Sequence, residues 1–221
     1  MSDQTSTDEP RFDQGALALA AALILGLAAV LTAWAAFRGS LTSDLVLKNY
    51  SSQQATIALA NDTFSRADQQ EQLETTLFLD WAVAISAGNL DSAAYLAEVM
   101  SDEMNAAVEW WSNQPDDSIP ATPFTEDNPA YADLPSQVLI AEGEALLDEA
   151  ETMRLAAEDA DTRSDRFELA NVFFAVVLFV AGLATLVHRR AIQVGFLILS
   201  SIGVVVGFVV LATTSGAFAL N

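Results

Sequence analysis

The chain has 221 residues, and 52% of them are hydrophobic, yet 30 Asp and Glu stand against 9 Lys and Arg for a formal charge of −21. With no Cys and a single His there is no disulfide framework, thiolate metal site, Cys nucleophile or imidazole cluster. So acidic a chain repels phosphate backbones and has no basic stripe, so nucleic acid is excluded as a partner.

A mean hydropathy of +0.31 beside that charge requires apolar and acidic residues to be segregated. Residues 41–165 hold 25 of the 30 acids, whereas 15–37, 169–187 and everything after Arg190 contain no charged side chain. The expected fold class is an all-α membrane protein: three transmembrane helices, with an acidic extramembrane helical bundle between the first and second spans.

Residues 1–14 are polar, carry a Pro and show no apolar periodicity, which predicts a mobile tail. Residues 15–37 follow as transmembrane helix 1; at about 1.5 Å per residue they exceed the roughly 30 Å of a hydrocarbon core. Ala33-Trp34-Ala35 has the form of a signal-peptidase site, but the run is longer than a signal core and only Arg11 precedes it, so an uncleaved anchor is expected.

Residues 38–165 form the acidic domain. From about Leu45 to Ala87, Tyr50, Ile57, Phe64, Phe78 and Ile85 recur at multiples of seven, interrupted by Glu71, with Ala60, Ala67 and Trp81 on the adjoining seam. This helix continues from the first span after a kink near Gly39-Ser40. Gly88-Asn89 is a helix stop, and a second helix is expected from Asp91 to Ser112, with Ala94, Met100, Met104, Ala107, Val108 and Trp111 near one side. Pro115, Pro120, Pro123 and Pro129 make 113–135 an extended loop.

A third helix begins near Pro135-Ser136, with Pro in its first turn. Leu139, Leu146, Met153, Ala160 and Phe167 occupy one heptad position, and Gly143, Ala150, Ala157 and Ser164 follow four residues after each of the first four. No breaker intervenes, so one helix of roughly 50 residues is expected, about 75 Å long, running into the second span at 166–187. His188, Arg189 and Arg190 form a basic turn to the third span, 191–212, and 213–221 is a short tail. Three residues connect only antiparallel neighbours. The positive-inside rule places the N-terminus and the turn in the cytoplasm and residues 41–165 outside the plasma membrane, despite Arg38, Lys48, Arg163 and Arg166 at the other span ends, because long connections escape loop-charge control.

Chemistry is sparse. Paired carboxylates such as Asp116-Asp117, Glu142/Glu144 and Asp148-Glu149 suit acid–base work by type but are expected on any solvated acidic face. Asp159, Asp161 and Asp165 alternate as calcium ligands do, without the Gly or closing Glu of an EF-hand, and the acids of the Pro-rich loop could wrap a cation. Neither implies a resident metal or cofactor. Sequons occur at Asn49 and Asn61. Trp110 and Trp111 cannot both face one core: one meets a partner, the loop or the membrane surface, or sits half exposed under the loop. The spans lack the ionisable groups of proton relays and ion-coupled carriers. Small residues at four-residue spacing, Ala18, Ala22 and Gly26 in the first span and Gly203 and Gly207 in the third, are packing signals within the chain or between protomers. Asn171, Ser200 and Ser201 are the notable polar groups in the hairpin spans, and could line a pore only in an oligomer.

The order of segments, an anchor ending WAAFRGS, then TPFTEDNPAYADLPSQ before AEGEALLDEAE, then FELANVFFAVVLFVAGLATLVHRR and a final span, resembles a family of uncharacterised three-span prokaryotic membrane proteins carrying a domain of unknown function. The likeness covers most of 12–212 and implies architecture alone, with no activity or site residues to carry over. The function expected is that of a non-enzymatic structural or interaction protein. Its partners would be membrane lipid and a second copy or another membrane protein, and its interface would be Trp110, Trp111, Leu139, Leu146, Ala150, Met153, Ala157, Gly203 and Gly207. A small cation channel or channel accessory, and a sensor input subunit without its own output domain, are the alternatives.

Overall fold

The structure, a computed structural model, describes residues 11–115, 117–187 and 189–218, with side chains from Gly15 onward. Asp116, His188, residues 1–10 and 219–221 lie outside it. The described residues are all-helical: α1 (Arg11–Ser86), α2 (Leu90–Val99), α3 (Asp102–Ser112), a 3-10 turn (Tyr131–Asp133), α4 (Pro135–Leu186) and α5 (Arg190–Thr213). Three of these helices are long and apolar enough to cross a membrane. Two compact units divide the chain, one of residues up to 49 and from 155 on, the other 50–154; α1 and α4 contribute to both.

In the first unit the core is a seam of small side chains. Ala21, Ala28, Ala35 and Thr42 recur every seventh residue on α1 and all are buried. One end closes around Ala21, Ala184 and Leu197, the other around Ala35, Phe167, Phe174 and Leu211, so α1 and α5 both run antiparallel to α4. Of the most apolar stretches of the three helices, only 11%, 28% and 22% is buried. Leu23, Val30, Val172, Phe179 and Val205 point outward. Such a surface suits a hydrocarbon surrounding, and the three apolar helices are compatible with a multi-pass membrane protein.

Gly216 and Ala217, beyond α5, are anchored to α1. The Trp34 indole donates to the Ala217 carbonyl at 3.0 Å, the Arg38 guanidinium donates to the Gly216 carbonyl, and Ala217 is buried against Ala35 and Phe167. Gly216 has φ +79, the left-handed conformation that lets the chain turn back. At the other terminus Arg11 already belongs to α1, so the helix begins inside the stretch expected to be tail. No break occurs at Gly39-Ser40: the helix runs through both residues, and Gly39 is buried against Phe167, where a Cβ would make ordinary contact at 3.5 Å.

The second unit packs α1 residues from 50 onward with α2, α3 and the first part of α4. Ala60 and Ala67 are buried on α1, and Ser136, Gly143 and Ala150 on α4. Phe64 lies over Gly143 so closely that a Cβ there would fall 2.6 Å from its ring. α1 ends in a Schellman motif: Asn89 N–H bonds to Ala84 O at 2.9 Å, Gly88 N–H to Ile85 O at 3.0 Å, and Gly88 has φ +72. The single helix expected over 91–112 is instead two. Ser101 accepts from Met104 N–H at 3.1 Å and starts α3, while the Asn105 amide donates to Ala97 O at 2.9 Å and ends α2. Two side chains that satisfy helix termini outweigh continuity at Met100. The shifted register buries Ala93 and exposes Ala94.

Glu74, only 3% exposed, is the one buried carboxylate among the described residues. Its Oε2 accepts from the Ser136 hydroxyl at 2.6 Å, and its Oε1 accepts from the Ser136 backbone N–H at 3.1 Å and from the Gln70 amide at 3.2 Å. Pro135 has no N–H, so Ser136 presents the first unsatisfied donor of α4, and a carboxylate from α1 complements the positive end of the helix dipole. Glu74→Ala leaves that donor buried and is expected to cost about 2 kcal/mol, with Glu74→Gln losing about half as much. Equilibrium unfolding followed by circular dichroism, with amide exchange at Ser136–Val138 as the local readout, measures it; unchanged stability and protection in Glu74→Ala would refute the capping role.

Candidate functional site

The residues expected at an interface fall in both units, and most are engaged within their own. In the second unit Trp111 stands edge-on to Phe78, with ring centroids 5.2 Å apart at 86°, and donates its indole N–H to Pro120 O at 2.7 Å. Phe124 meets Phe78 at 5.7 Å and 77°. Trp111 is therefore the ring packed against the core cluster, and both it and Trp110 are half-buried. The Pro-rich loop is fastened beneath this aromatic cluster by the buried Asn128, whose amide donates to Pro123 O at 2.7 Å and Ala107 O at 3.2 Å while its Oδ1 accepts from Ala130 N–H at 3.1 Å.

Leu139, Leu146 and Met153 are half-buried on α4, while Ala150 beside them is buried. Met153 Sδ accepts from the Thr56 hydroxyl at 3.7 Å. In the first unit Ala157 and Ser164 continue the small positions, and the hydroxyls of Ser43 and Ser164 are 2.9 Å apart. A Cβ on Gly203 would come within 2.5 Å of Val177, and one on Gly207 within 2.7 Å of the fully buried Phe174 ring. The Gly203/Gly207 stripe thus packs within the chain. Ala18, Ala22 and Gly26 behave oppositely: all three are exposed, and nothing lies within 4 Å of a Cβ placed on Gly26. Arg189 caps α5 and Arg190 opens it, both exposed; His188 lies outside the described residues.

Two cavities among the described residues bear on function. An apolar groove of about 250 Å³ runs between α4 and α5 in the first unit, lined by Phe173, Val177, Val180, Leu199, Gly203 and Val206 among others. Apart from Ser200, whose hydroxyl is bonded to Phe196 O, it offers hydrocarbon contact. A polar pocket of about 40 Å³ beside Glu74, with Glu71, Tyr131 and Gln137 on its wall, has room for roughly a water or two. Among the described residues no three His, Cys, Asp or Glu cluster as a metal site would need. Asp159 instead holds Arg163 at 2.8 Å. The Ser200 and Ser201 hydroxyls donate to the carbonyls of Phe196 and Leu197 at 2.8 Å, and Asn171 Oδ1 is buried without a hydrogen bond. Asn61 is exposed and Asn49 half-buried, both within α1.

The acids form a surface, not a site. Residues 50–154 carry 20 Asp and Glu against Arg66 and Arg154, a net of −18, and every described one except Glu74 is exposed. The Glu151 carboxyl is held below the usual carboxylate range by hydrogen bonds from the Arg154 guanidinium, at 2.7 and 2.8 Å, and by its charge. A depressed carboxylate stabilises the fold above its unfolded pKa and loses that contribution as pH falls through the lowered value, though for so exposed a pair salt screens it.

Glu74 and Asn128 are the residues that sequence reasoning passed over. The signal for Glu74 was present: Ala60, Ala67 and Trp81 share one heptad position, and Glu74 is its missing member.

No family model matches the chain, and no curated protein or solved structure is significantly similar to it. The likeness seen in the order of its segments carries no functional weight.

If the Gly207 face is filled by Phe174, Gly207→Val must displace a ring with nowhere to go, at a cost of about 1–3 kcal/mol. Gly195, with nothing within 4 Å of its Cβ position, should accept Ala without loss. Thermal melts of both variants in detergent decide this; equal melting temperatures would place the α4–α5 contact elsewhere.

Proposed function

We propose that the chain is a non-enzymatic integral membrane protein of the plasma membrane whose work is to hold a neighbouring chain. In this reading the N-terminus and the Arg189-Arg190 turn face the cytoplasm, and the acidic segment 41–165 stands outside as an extramembrane helical domain. The supporting observation is the unpartnered small face of α1. Ala18, Ala22 and Gly26 lie one helical turn apart, on a helix whose own packing uses Ala21, Ala28 and Ala35. Small residues at that spacing let helix backbones approach closely in lipid, where packing and not hydrophobicity drives association. The chemically suggestive side chains support the same reading from the other side: Glu74 caps a helix, Asn128 fastens a loop, and the serines of α5 bond to their own helix.

Native mass measurement of the protein extracted from its own membrane into nanodiscs tests this. The expected result is a complex, either a multiple of the chain or the chain with a second polypeptide, that the double substitution Ala22→Leu, Gly26→Leu reduces at least about tenfold. A monomer in both cases, with no second polypeptide, would sink it.

A further inference from the structure

The corner where α1 meets α2 is built inside out. Ala84 and Ala93 are its buried residues, while Leu79, Val83, Leu90, Tyr95 and Val99 each expose more than half of their surface. The Schellman turn at Gly88 fixes this arrangement. Asn89 then caps α2 by accepting from Ser92 N–H at 3.2 Å, so both helix ends are satisfied and the large side chains have no freedom to turn in. Leu79 and Val83 are one turn apart on α1, as are Tyr95 and Val99 on α2, and each pair shares a helix face. In a water-facing unit, large apolar side chains gathered on the two arms of one turn mark a contact surface.

Charge decides what it contacts. Asp80, Asp91 and Glu98 are exposed among these apolar groups, and no Lys, Arg or His occurs anywhere between Arg66 and Arg154. A second copy would set carboxylates against carboxylates, and anionic lipid or nucleic acid would be repelled in the same way. We infer that this corner docks an amphipathic basic segment of another protein, apolar residues against Leu79, Val83 and Tyr95, cations against Asp91 and Glu98. The inference rests on the interaction reading above and gives its extramembrane partner a chemistry.

The test uses the full chain in zwitterionic nanodiscs and a labelled synthetic amphipathic helix of Leu and Lys, with a scrambled peptide of equal composition as reference, read by fluorescence anisotropy. The amphipathic peptide should bind more tightly than the scrambled one. Leu79→Ser, Tyr95→Ser should weaken it about tenfold or more, and Asp91→Asn, Glu98→Gln about three- to tenfold with a loss of salt dependence. The exposed pair Glu142→Gln, Glu144→Gln, an equal change of charge elsewhere in the unit, should alter it less than about twofold. All six positions in the tested variants of the corner and control are surface positions, and unchanged melting curves verify their folding. Equal binding by every variant would mean long-range attraction to a polyanion and overturn the proposal. So would a requirement for Leu79 and Tyr95 in self-association, or in binding phosphatidylserine vesicles in place of the peptide. A native complex that persists while the peptide fails to bind removes the corner but leaves the interaction reading standing.

Discussion

Close approach of helix backbones along small residues at every seventh position is the constraint on which the packing depends. In the second unit Ser136, Gly143 and Ala150 are buried on α4 while the larger Leu139, Leu146 and Met153 are only half covered. Small residues form the seam, and large ones flank it. At the Gly143 contact the ring of Phe64 fills the place of a side chain. A seam this narrow also fixes what its end must be: where it reaches the first turn of α4, bare N–H groups would be buried, and Glu74 supplies the acceptor. The carboxylate is thus a consequence of the packing, and its burial is not a sign of catalysis. In the first unit the same logic runs through alanines and Thr42 on α1, where the gain comes from dispersion and shape, since lipid is as apolar as the side chains it replaces.

Against that packing stands a charge distribution that contributes little internal stabilisation. The ion pairs Glu151–Arg154 and Asp159–Arg163 are local, three or four residues apart on one exposed helix, and such pairs are worth at most a few tenths of a kcal/mol. The remaining carboxylates of 50–154 repel one another. Their effect is directed outward, as a field that admits cations and basic surfaces and turns away anions. Stability in the second unit therefore rests on the aromatic cluster around Phe78, the loop fastened by Asn128 and the α1–α4 seam.

The sequence made the helical class and the three apolar spans legible, because charge segregation and span length are properties of composition along the chain. Pro135, the Gly88-Asn89 stop and the heptad from Leu139 to Phe167 likewise marked helix ends and a long helix without reference to tertiary structure. Features set by partners distant in the chain were not legible. The break at Met100-Ser101 depends on Asn105 reaching back to Ala97, the anchoring of Gly216 and Ala217 depends on Arg38 and Trp34, and Glu74 depends on Ser136, 62 residues away. Heptad periodicity located the seam but misjudged its depth, giving weight to Ile57 and Ile85 where Ala60 and Ala67 lie deeper and Ile85 is exposed.

Small-residue stripes show most sharply where pattern ends and geometry begins. Ala18, Ala22 and Gly26 share their spacing with Gly203 and Gly207, and the two stripes have opposite fates. A helix presents one face to its own bundle, and on α1 that face is set by Ala21, Ala28 and Ala35. Residues 18, 22 and 26 sit about 100° round the helix from that line, too far to share it. On α5 the glycines coincide with the buried line of Ser200, Gly207 and Leu211 and meet Val177 and Phe174. Spacing alone says that backbones can approach; register against the buried seam says whose. By that criterion the fold has used one stripe to complete itself and left the other facing out.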